Sequence, residues 1–447
     1  MRLAPWILLA IAPTVAAIDR AAAQSCVVGT AADEFAADAA GLTREWILQL
    51  PFVALGARLE QVVPGDGLVV AQTSDGTVHA IAGASLSGKP TAVGEPLPGS
   101  LLWSRRVDSV GGAVMRAGIG IDTVAVAHDR DITALERGSG SFRWQQAFDQ
   151  SASGGTAVIG NWIYSPTAGH SMSRFPTHPL RQPDAFKAAE PPTATAKGKA
   201  TKKGGKERKA RKESLEPLAI DAVGDVRLTP QPFVNGVLWC TAAGDLVTLQ
   251  ETQLDWQRFE FELVNPPAGQ PALVDRSIYA ATTAGDLARI DLPKSLRQLQ
   301  LVWHAVLPGP ASSGPFVAGE TLVVSLGDLG LAAYSTVTGD QVWHCPLTGR
   351  ILAVAGGRVW FVDELGKLAA LDLADGAPRT RLCLGPFTLP VVNTLTGRLL
   401  LASPSGMIAS LLPRGPVGTP TPAAARRPTD PAAAAPAKAD PAATPRP

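Results

Sequence analysis

Residues 333–343 read Ala-Tyr-Ser-Thr-Val-Thr-Gly-Asp-Gln-Val-Trp, and residues 134–144 repeat the plan as Ala-Leu-Glu-Arg-Gly-Ser-Gly-Ser-Phe-Arg-Trp. In both stretches glycine follows alanine by six positions and tryptophan follows glycine by four. Related stretches return about every 40 residues along most of the chain. A fixed internal period of this length indicates a repeat architecture, in which each copy packs against its neighbours.

Each copy consists of short runs with β-strand character. A typical copy has β-branched, alternating residues over 319–325, a turn, a second run over 330–334, and then the turn that leads to the tryptophan strand. Short strands at regular spacing, separated by glycine and aspartate turns, are typical of all-β folds. The sequence therefore predicts an all-β chain with almost no helix.

The two ends of the repeat region carry complementary irregularities. The eighth copy, over residues 398–412, has no tryptophan strand, whereas residues 45–50 form a tryptophan strand with no copy before it. If the N-terminal strand completes the last blade, the ring closes and leaves no large open gap. We therefore predict an eight-bladed β-propeller over residues 45–412, with four strands in each blade; seven blades is the alternative.

The repeated residues are predicted to be structural. A large flat tryptophan side chain can pack between blades while its N–H finds a carbonyl, and glycine supplies the positive φ of a tight turn. The positions assigned to this role are Trp46, Trp103, Trp144, Trp256, Trp303, Trp343, Gly140, Gly339 and Gly376.

The first residues resemble an export signal. One positive charge, a short apolar run and the small residues at 21–23 predict a signal peptide over 1–23, followed by a spacer over 24–44. Cys26 lies just beyond the predicted cleavage site, so lipidation of Cys26 stays open as an alternative. No later segment is long and apolar enough for a transmembrane helix. We expect an exported protein of the periplasm or cell envelope, with outer-membrane association also open.

Two segments have compositions unsuited to a packed core. Residues 183–217 form a Lys-rich insertion in which nine basic residues lie between Lys197 and Lys212, and residues 413–447 form an Ala/Pro-rich tail. Both are predicted to be disordered. The insertion is either a solvated loop or a cationic arm that contacts an anionic surface weakly. The overall net charge of +1 gives no reason to expect a specific nucleic-acid partner.

The repeat phrase resembles the repeat of pyrroloquinoline-quinone-type (PQQ-like) propellers, also called quinoprotein alcohol dehydrogenase-like propellers. The resemblance covers roughly residues 46–412 without the insertion. The family implies the propeller fold, and it includes both quinone-dependent dehydrogenases and cofactor-free propellers. In character this chain is closest to the non-enzymatic propeller lipoprotein of the outer-membrane β-barrel assembly machine.

The chain lacks the chemistry of the family's enzymes. Those dehydrogenases place two adjacent cysteines against the cofactor, whereas the four cysteines here, Cys26, Cys240, Cys345 and Cys383, are dispersed and have no metal-ligand spacing. We therefore predict no catalytic residue, no cofactor and no metal site.

We expect a non-catalytic, monomeric scaffold that binds a protein or peptide partner at the propeller rim, with outer-membrane or envelope assembly as one setting. The alternatives are a PQQ-dependent dehydrogenase of alcohols or sugars and a surface structural protein tethered by its cationic arm.

Overall fold

The computed structural model describes residues 26–415 except for 32, 53–54, 85–94, 108–113, 179–217, 252–255, 293 and 295–297. The predicted signal peptide and Lys-rich insertion lie outside the described residues, as does the predicted tail from residue 416 onward. The limits assigned to these segments stay predictions.

The described strands form eight sheets, seven of four strands and one of five, and we number these blades in chain order. Blade 1 comprises strands Leu59–Gly65, Leu68–Thr73, Thr77–Ala82 and Leu101–Arg106, and blade 2 comprises Gly118–Ile119, Thr123–His128, Asp131–Glu136 and Phe142–Ala147. Blade 3 comprises Ala157–Ile159, Trp162–Thr167, Ser171–Pro176 and Leu218–Asp221, and blade 4 comprises Gln231–Phe233, Gly236–Cys240, Asp245–Glu251 and Trp256–Glu262. Blade 5 comprises strands Ala272–Val274, Ser277–Ala281, Asp286–Asp291 and Gln300–Val306, and blade 6 comprises Phe316–Ala318, Thr321–Ser325, Leu331–Ser335 and Gln341–Cys345. Blade 7 comprises Gly349–Ala355, Arg358–Asp363, Lys367–Asp372 and Pro378–Cys383, and blade 8 comprises Leu389–Pro390, Leu399–Ala402, Met407–Pro413 and Leu42–Gln49.

Within each blade the four strands run antiparallel in the order given. First strands of neighbouring blades contact one another, as in blades 5 and 6, so the first strands surround the axis and the fourth strands lie outermost. Because the strands alternate in direction, the turns between second and third strands share one face with the connections between blades. We call this the loop face, and the remaining turns lie on the opposite face.

The core is divided among the interfaces between blades. The described residues form eight buried apolar clusters, and each cluster joins two adjacent blades. One of them packs Trp46 and Leu400 of blade 8 against Leu59 and Val69 of blade 1. The ring is therefore closed by packing at every interface, and the prediction of eight blades in an all-β fold is confirmed.

The N-terminal strand closes the ring as predicted. Strand Leu42–Gln49 pairs antiparallel with Met407–Pro413, the third strand of blade 8. Glu45 on this strand accepts hydrogen bonds from Arg398 Nε at 2.8 Å and from Ser410 Oγ at 2.9 Å. A strand from one end of the chain thus completes a blade built from the other end.

The predicted spacer contains additional ordered structure. Strand Cys26–Thr30 pairs in parallel with Pro378–Cys383 and forms the fifth strand of blade 7. Helix Glu34–Ala39 follows; its N-cap Asp33 accepts a hydrogen bond from the Phe35 amide, and its buried alanines pack on blades 7 and 8. A short 3-10 helix spans Gly327–Leu329. In the described part of the chain, no helix has the length and apolar character needed to cross a bilayer.

Candidate interaction surface

The repeat tryptophans join each blade to the next. Trp303 in blade 5 donates its Nε1–H to the Thr336 carbonyl of blade 6 at 3.1 Å. Gly339 in the same turn has φ +79°, and a Cβ there would lie 2.8 Å from the Trp303 ring. The same arrangement sets Trp103 against Gly140, Trp343 against Gly376, and Trp46 against Gly99. Trp144 donates to the Thr177 carbonyl at 3.4 Å. These residues therefore pack adjacent blades together.

Blades 3, 4 and 7 depart from this arrangement, because none has tryptophan in this register of its outer strand. Trp256 pairs with Glu251 at the start of its strand, whereas Phe259 pairs with Thr248, which is the register that Trp303 has in blade 5. The sequence spacing that assigned Trp256 to the repeat position therefore differs from the strand register by three residues. The Trp256 ring instead covers the guanidinium of Arg174, with 4.2 Å between the Arg174 Cζ atom and the ring centroid.

The cysteines do not fit the quinone cofactor of the similar dehydrogenases. Cys240, Cys345 and Cys383 lie in three different blades and are all free. Burial raises the pKa of the Cys240 and Cys345 thiols, which keeps both protonated at neutral pH. The described residues contain no group of three or more His, Cys, Asp or Glu side chains placed to hold a metal ion.

A groove of about 340 Å³ lies between blades 1 and 2 on the opposite face. Its arginines are engaged in the protein itself, because Arg137 donates to two backbone carbonyls and Arg143 pairs with Asp122 at 3.2 Å. Burial acts to raise the pKa of Asp122, but hydrogen bonds from Thr123 and Arg143 lower it below its usual value overall. The polar side chains of the groove are therefore engaged in hydrogen bonds and an ion pair between neighbouring segments of the protein.

Exposed aliphatic side chains lie along the outer strand of blade 5 and on the two loops beside it. Val264 is 90% exposed and Val306 is 76% exposed, while Leu301, Val302 and Leu329 are about half exposed. Val264 lies on the loop before blade 5, and Leu329 lies on the loop face of blade 6. We call these five residues the blade 5 edge surface. Exposed aliphatic surface of this kind is a candidate site of protein contact.

Hydrogen bonds connect the parts of this surface. Asp286 accepts a hydrogen bond from Asn265 Nδ2 at 2.8 Å, and the ring of His304 lies 3.0 Å away on the outer strand. Asn265 follows Val264 in the chain, and His304 precedes Val306 by two residues. The hydrogen bond from Asn265, followed by those from His304 and Thr282, lowers the pKa of Asp286 despite partial burial. The carboxylate therefore ties the Val264 loop to the outer strand.

Leu329 is held beside the connection that follows Val306. A Cβ on Gly309 in this connection would lie 2.5 Å from Leu329 Cδ1, and the Leu329 carbonyl lies 2.7 Å from His344 Nε2. The repeat pattern of the sequence does not predict this surface. The one sequence feature that points to it is the outer strand Gln300–Val306, which contains no Asp, Glu, Lys or Arg.

Comparison with known proteins supports the repeat assignment. Residues 256–385, which include the blade 5 edge surface, match the sequence model of a family described as outer membrane protein assembly factor BamB. No curated protein sequence matches the chain.

The fold is similar to that of several solved propellers. BamB from Moraxella catarrhalis is 17% identical with a TM-score of 0.59, and the match covers 83% of this chain and 97% of that one. Sqt1 from Saccharomyces cerevisiae is 11% identical with a TM-score of 0.54 over 79% and 94% of the two chains. The computationally designed Ika8 protein is 10% identical with a TM-score of 0.52 over 80% and 97%. The resemblance to PQQ-like repeat propellers, and to BamB among them, is confirmed; these identities establish similarity of fold.

Proposed function

We propose that this PQQ-like propeller is a non-catalytic scaffold of the cell envelope, exported by its signal peptide, that binds a protein partner at its rim. The observation that carries the proposal is the blade 5 edge surface, where Val264 and Val306 expose most of their side chains. Burial of such side chains against a partner lowers the free energy of the complex by about 25 cal/mol per Å² of apolar area removed from water.

Two further features support a binding role. The eight interfaces between blades are filled by apolar side chains, so the ring is a rigid support for the residues on its rim. The chain also has no adjacent cysteines, which separates it from the quinone-dependent members of the similar family. Its likeness to BamB supports an envelope setting and a role in outer-membrane assembly.

The proposal can be tested by photo-crosslinking in living cells. A photoreactive phenylalanine analogue is placed at Val264 or Leu329, and at Ile121 as a control. Ile121 is similarly solvent-exposed at 71% but lies in the turn between Gly118–Ile119 and Thr123–His128, on the opposite face. We expect discrete crosslinked products from the first two positions and none from the third.

The crosslinking result can also contradict the proposal. If Val264 and Leu329 give no discrete product, or if all three positions give the same products, the blade 5 edge surface is not the binding site. Fractionation of the same cells tests the proposed location, because the protein should be released with periplasmic contents or found with the outer membrane. Recovery in the cytoplasmic fraction alone would contradict export.

A further inference from the structure

The fourth strand of each blade lies at the outer edge of the ring, and the chain protects most of these edges. An edge strand presents unpaired backbone N–H and C=O groups, and charged side chains discourage another strand from pairing with it. The outer strands of blades 1–4, 7 and 8 all contain charged residues. Blade 7 is in addition covered by strand Cys26–Thr30. Among the described outer strands, Gln300–Val306 and Gln341–Cys345 have neither form of protection.

Blade 7 shows how such an edge can accept another strand. The added strand pairs with residues 381–383, after the irregularity in pairing at the start of Pro378–Cys383. The corresponding residues in blade 5 are 304–306, because Ala288 pairs with His304 as Ala369 pairs with Arg381. In blade 5 no described strand pairs with the outer side of these residues, and Val306 is 76% exposed.

Blade 5 is a better acceptor than blade 6. The outer strand of blade 5 has seven residues and that of blade 6 has five. Blade 5 exposes Leu301, Val302 and Val306 on this strand, whereas Val342 is the one exposed large aliphatic residue described on the outer strand of blade 6. A longer strand offers more backbone groups, and its aliphatic side chains favour a partner strand with aliphatic residues at alternate positions.

We propose that the outer strand of blade 5 binds an extended, uncharged segment of a partner protein by strand addition, so that the segment becomes the fifth strand of the blade. This proposal rests on the proposed function and specifies how the partner binds. Main-chain hydrogen bonds to the edge supply affinity, and contact with Val302 and Val306 selects aliphatic side chains. A partner strand rich in Asp, Glu or Lys would lack these contacts.

The experiment uses the full-length mature protein and two synthetic peptides. The first is a decapeptide in which valine alternates with threonine between terminal lysines that keep it soluble. The second has the same sequence with alternate backbone nitrogens methylated, which removes N–H donors along one edge and retains every side chain. We expect the first peptide to bind, with at least tenfold weaker binding of the methylated peptide.

Protein variants test the location of the site. Val306→Lys places a charge on the proposed edge, and Val302→Lys does so at a second position, in case the first variant is poorly folded. Ile121→Lys is the matched control on the opposite face. Each edge variant should weaken binding of the unmethylated peptide at least tenfold, and the control should leave it unchanged. Circular dichroism confirms that each variant retains its β structure.

The outcomes separate this proposal from the proposed function. Equal binding of both peptides, or no binding of the unmethylated peptide at millimolar concentration, overturns strand addition. Crosslinks from Val264 and Leu329 would in that case still support a partner that binds through side chains. A dimer in solution that Val306→Lys dissociates would show that the edge pairs with a second copy of this chain, and would also overturn the proposal.

Discussion

The close contact between Gly339 and Trp303 makes a quantitative prediction about stability. In Gly339→Ala the new side chain occupies a backbone conformation with φ +79°, and its Cβ lies 2.8 Å from the ring of Trp303. The left-handed backbone costs about 1–2 kcal/mol, and overpacking adds about 1–3 kcal/mol. Because the ring must move, its 3.1 Å hydrogen bond to the Thr336 carbonyl is also weakened, which adds up to about 1 kcal/mol. The expected total destabilisation is about 2–6 kcal/mol.

Gly319→Ala is a matched control in the same blade. Gly319 has φ +61°, but a Cβ there meets no atom within 4 Å, so only the backbone cost of about 1–2 kcal/mol applies. Urea unfolding followed by circular dichroism gives both free energies of unfolding. The difference between the two variants isolates the contact with Trp303. If Gly339→Ala is no more destabilising than Gly319→Ala, the explanation for the repeated glycine is refuted.

Three other perturbations test the closure, the edge network and the core. Glu45→Ala should lower the free energy of unfolding by about 1–3 kcal/mol, because Arg398 and Ser410 lose their shared acceptor at the closure; urea midpoints unchanged from wild type would contradict this. Folding lowers the pKa of Asp286, so the ionised carboxylate stabilises the folded state at pH values above its unfolded pKa of about 3.9. This stabilisation is lost as the pH falls through the lower pKa of the folded state. The stability gap between wild type and Asp286→Asn should therefore narrow in urea titrations between about pH 5 and pH 3, and a gap that stays constant would contradict the role of its hydrogen bonds. The buried Cys240 thiol should resist iodoacetamide in the native protein and react after unfolding, as followed by peptide mass spectrometry; rapid native labelling would contradict its burial.

The sequence predicted the closure of the ring because closure depends on local strand patterns at known positions. The unaccompanied strand around Trp46 and the incomplete last copy were both readable as strands, and only one pairing satisfied both. The structure shows that pairing between Leu42–Gln49 and Met407–Pro413. Period and strand character determine blade number because each copy can bury its apolar faces only against its neighbours.

Other features depend on pairing that the sequence does not specify locally. The spacing of tryptophans placed Trp256 in the repeat, yet hydrogen bonding to the third strand of blade 4 puts Phe259 in that register. The strand Cys26–Thr30 pairs with a strand some 350 residues away, and helix Glu34–Ala39 has only six residues, too few for a clear helical period. The blade 5 edge surface could likewise not be predicted from the sequence, because its five residues come from two loops and one strand.

Where a blade has no tryptophan on its outer strand, another tryptophan packs at the interface. Blade 3 has no tryptophan on its short outer strand, and Trp239 of blade 4 reaches back instead, donating its Nε1–H to the Ala222 carbonyl at 3.1 Å. Blade 7 also has no outer tryptophan, and there Trp360 is buried in the cluster that contains the N-terminal helix. Each of these interfaces therefore buries a flat aromatic side chain, which can come from either of the two blades; a side-chain N–H is not required, since Phe259 takes the repeat register in blade 4.

The same comparison between blades explains why the edge of blade 5 points to function. Every blade needs an outer strand, and the ring geometry that covers the inner strands leaves the outer ones accessible. Exposed charged residues such as Arg106 and Glu260 protect some of these edges, and an added strand covers blade 7. An exposed aliphatic edge carries a risk of aggregation, which a bound partner strand would remove. The outer strand of blade 6 also lacks charge, so it is the greater length and the exposed Val302 and Val306 of Gln300–Val306 that single out this edge for the proposed partner strand.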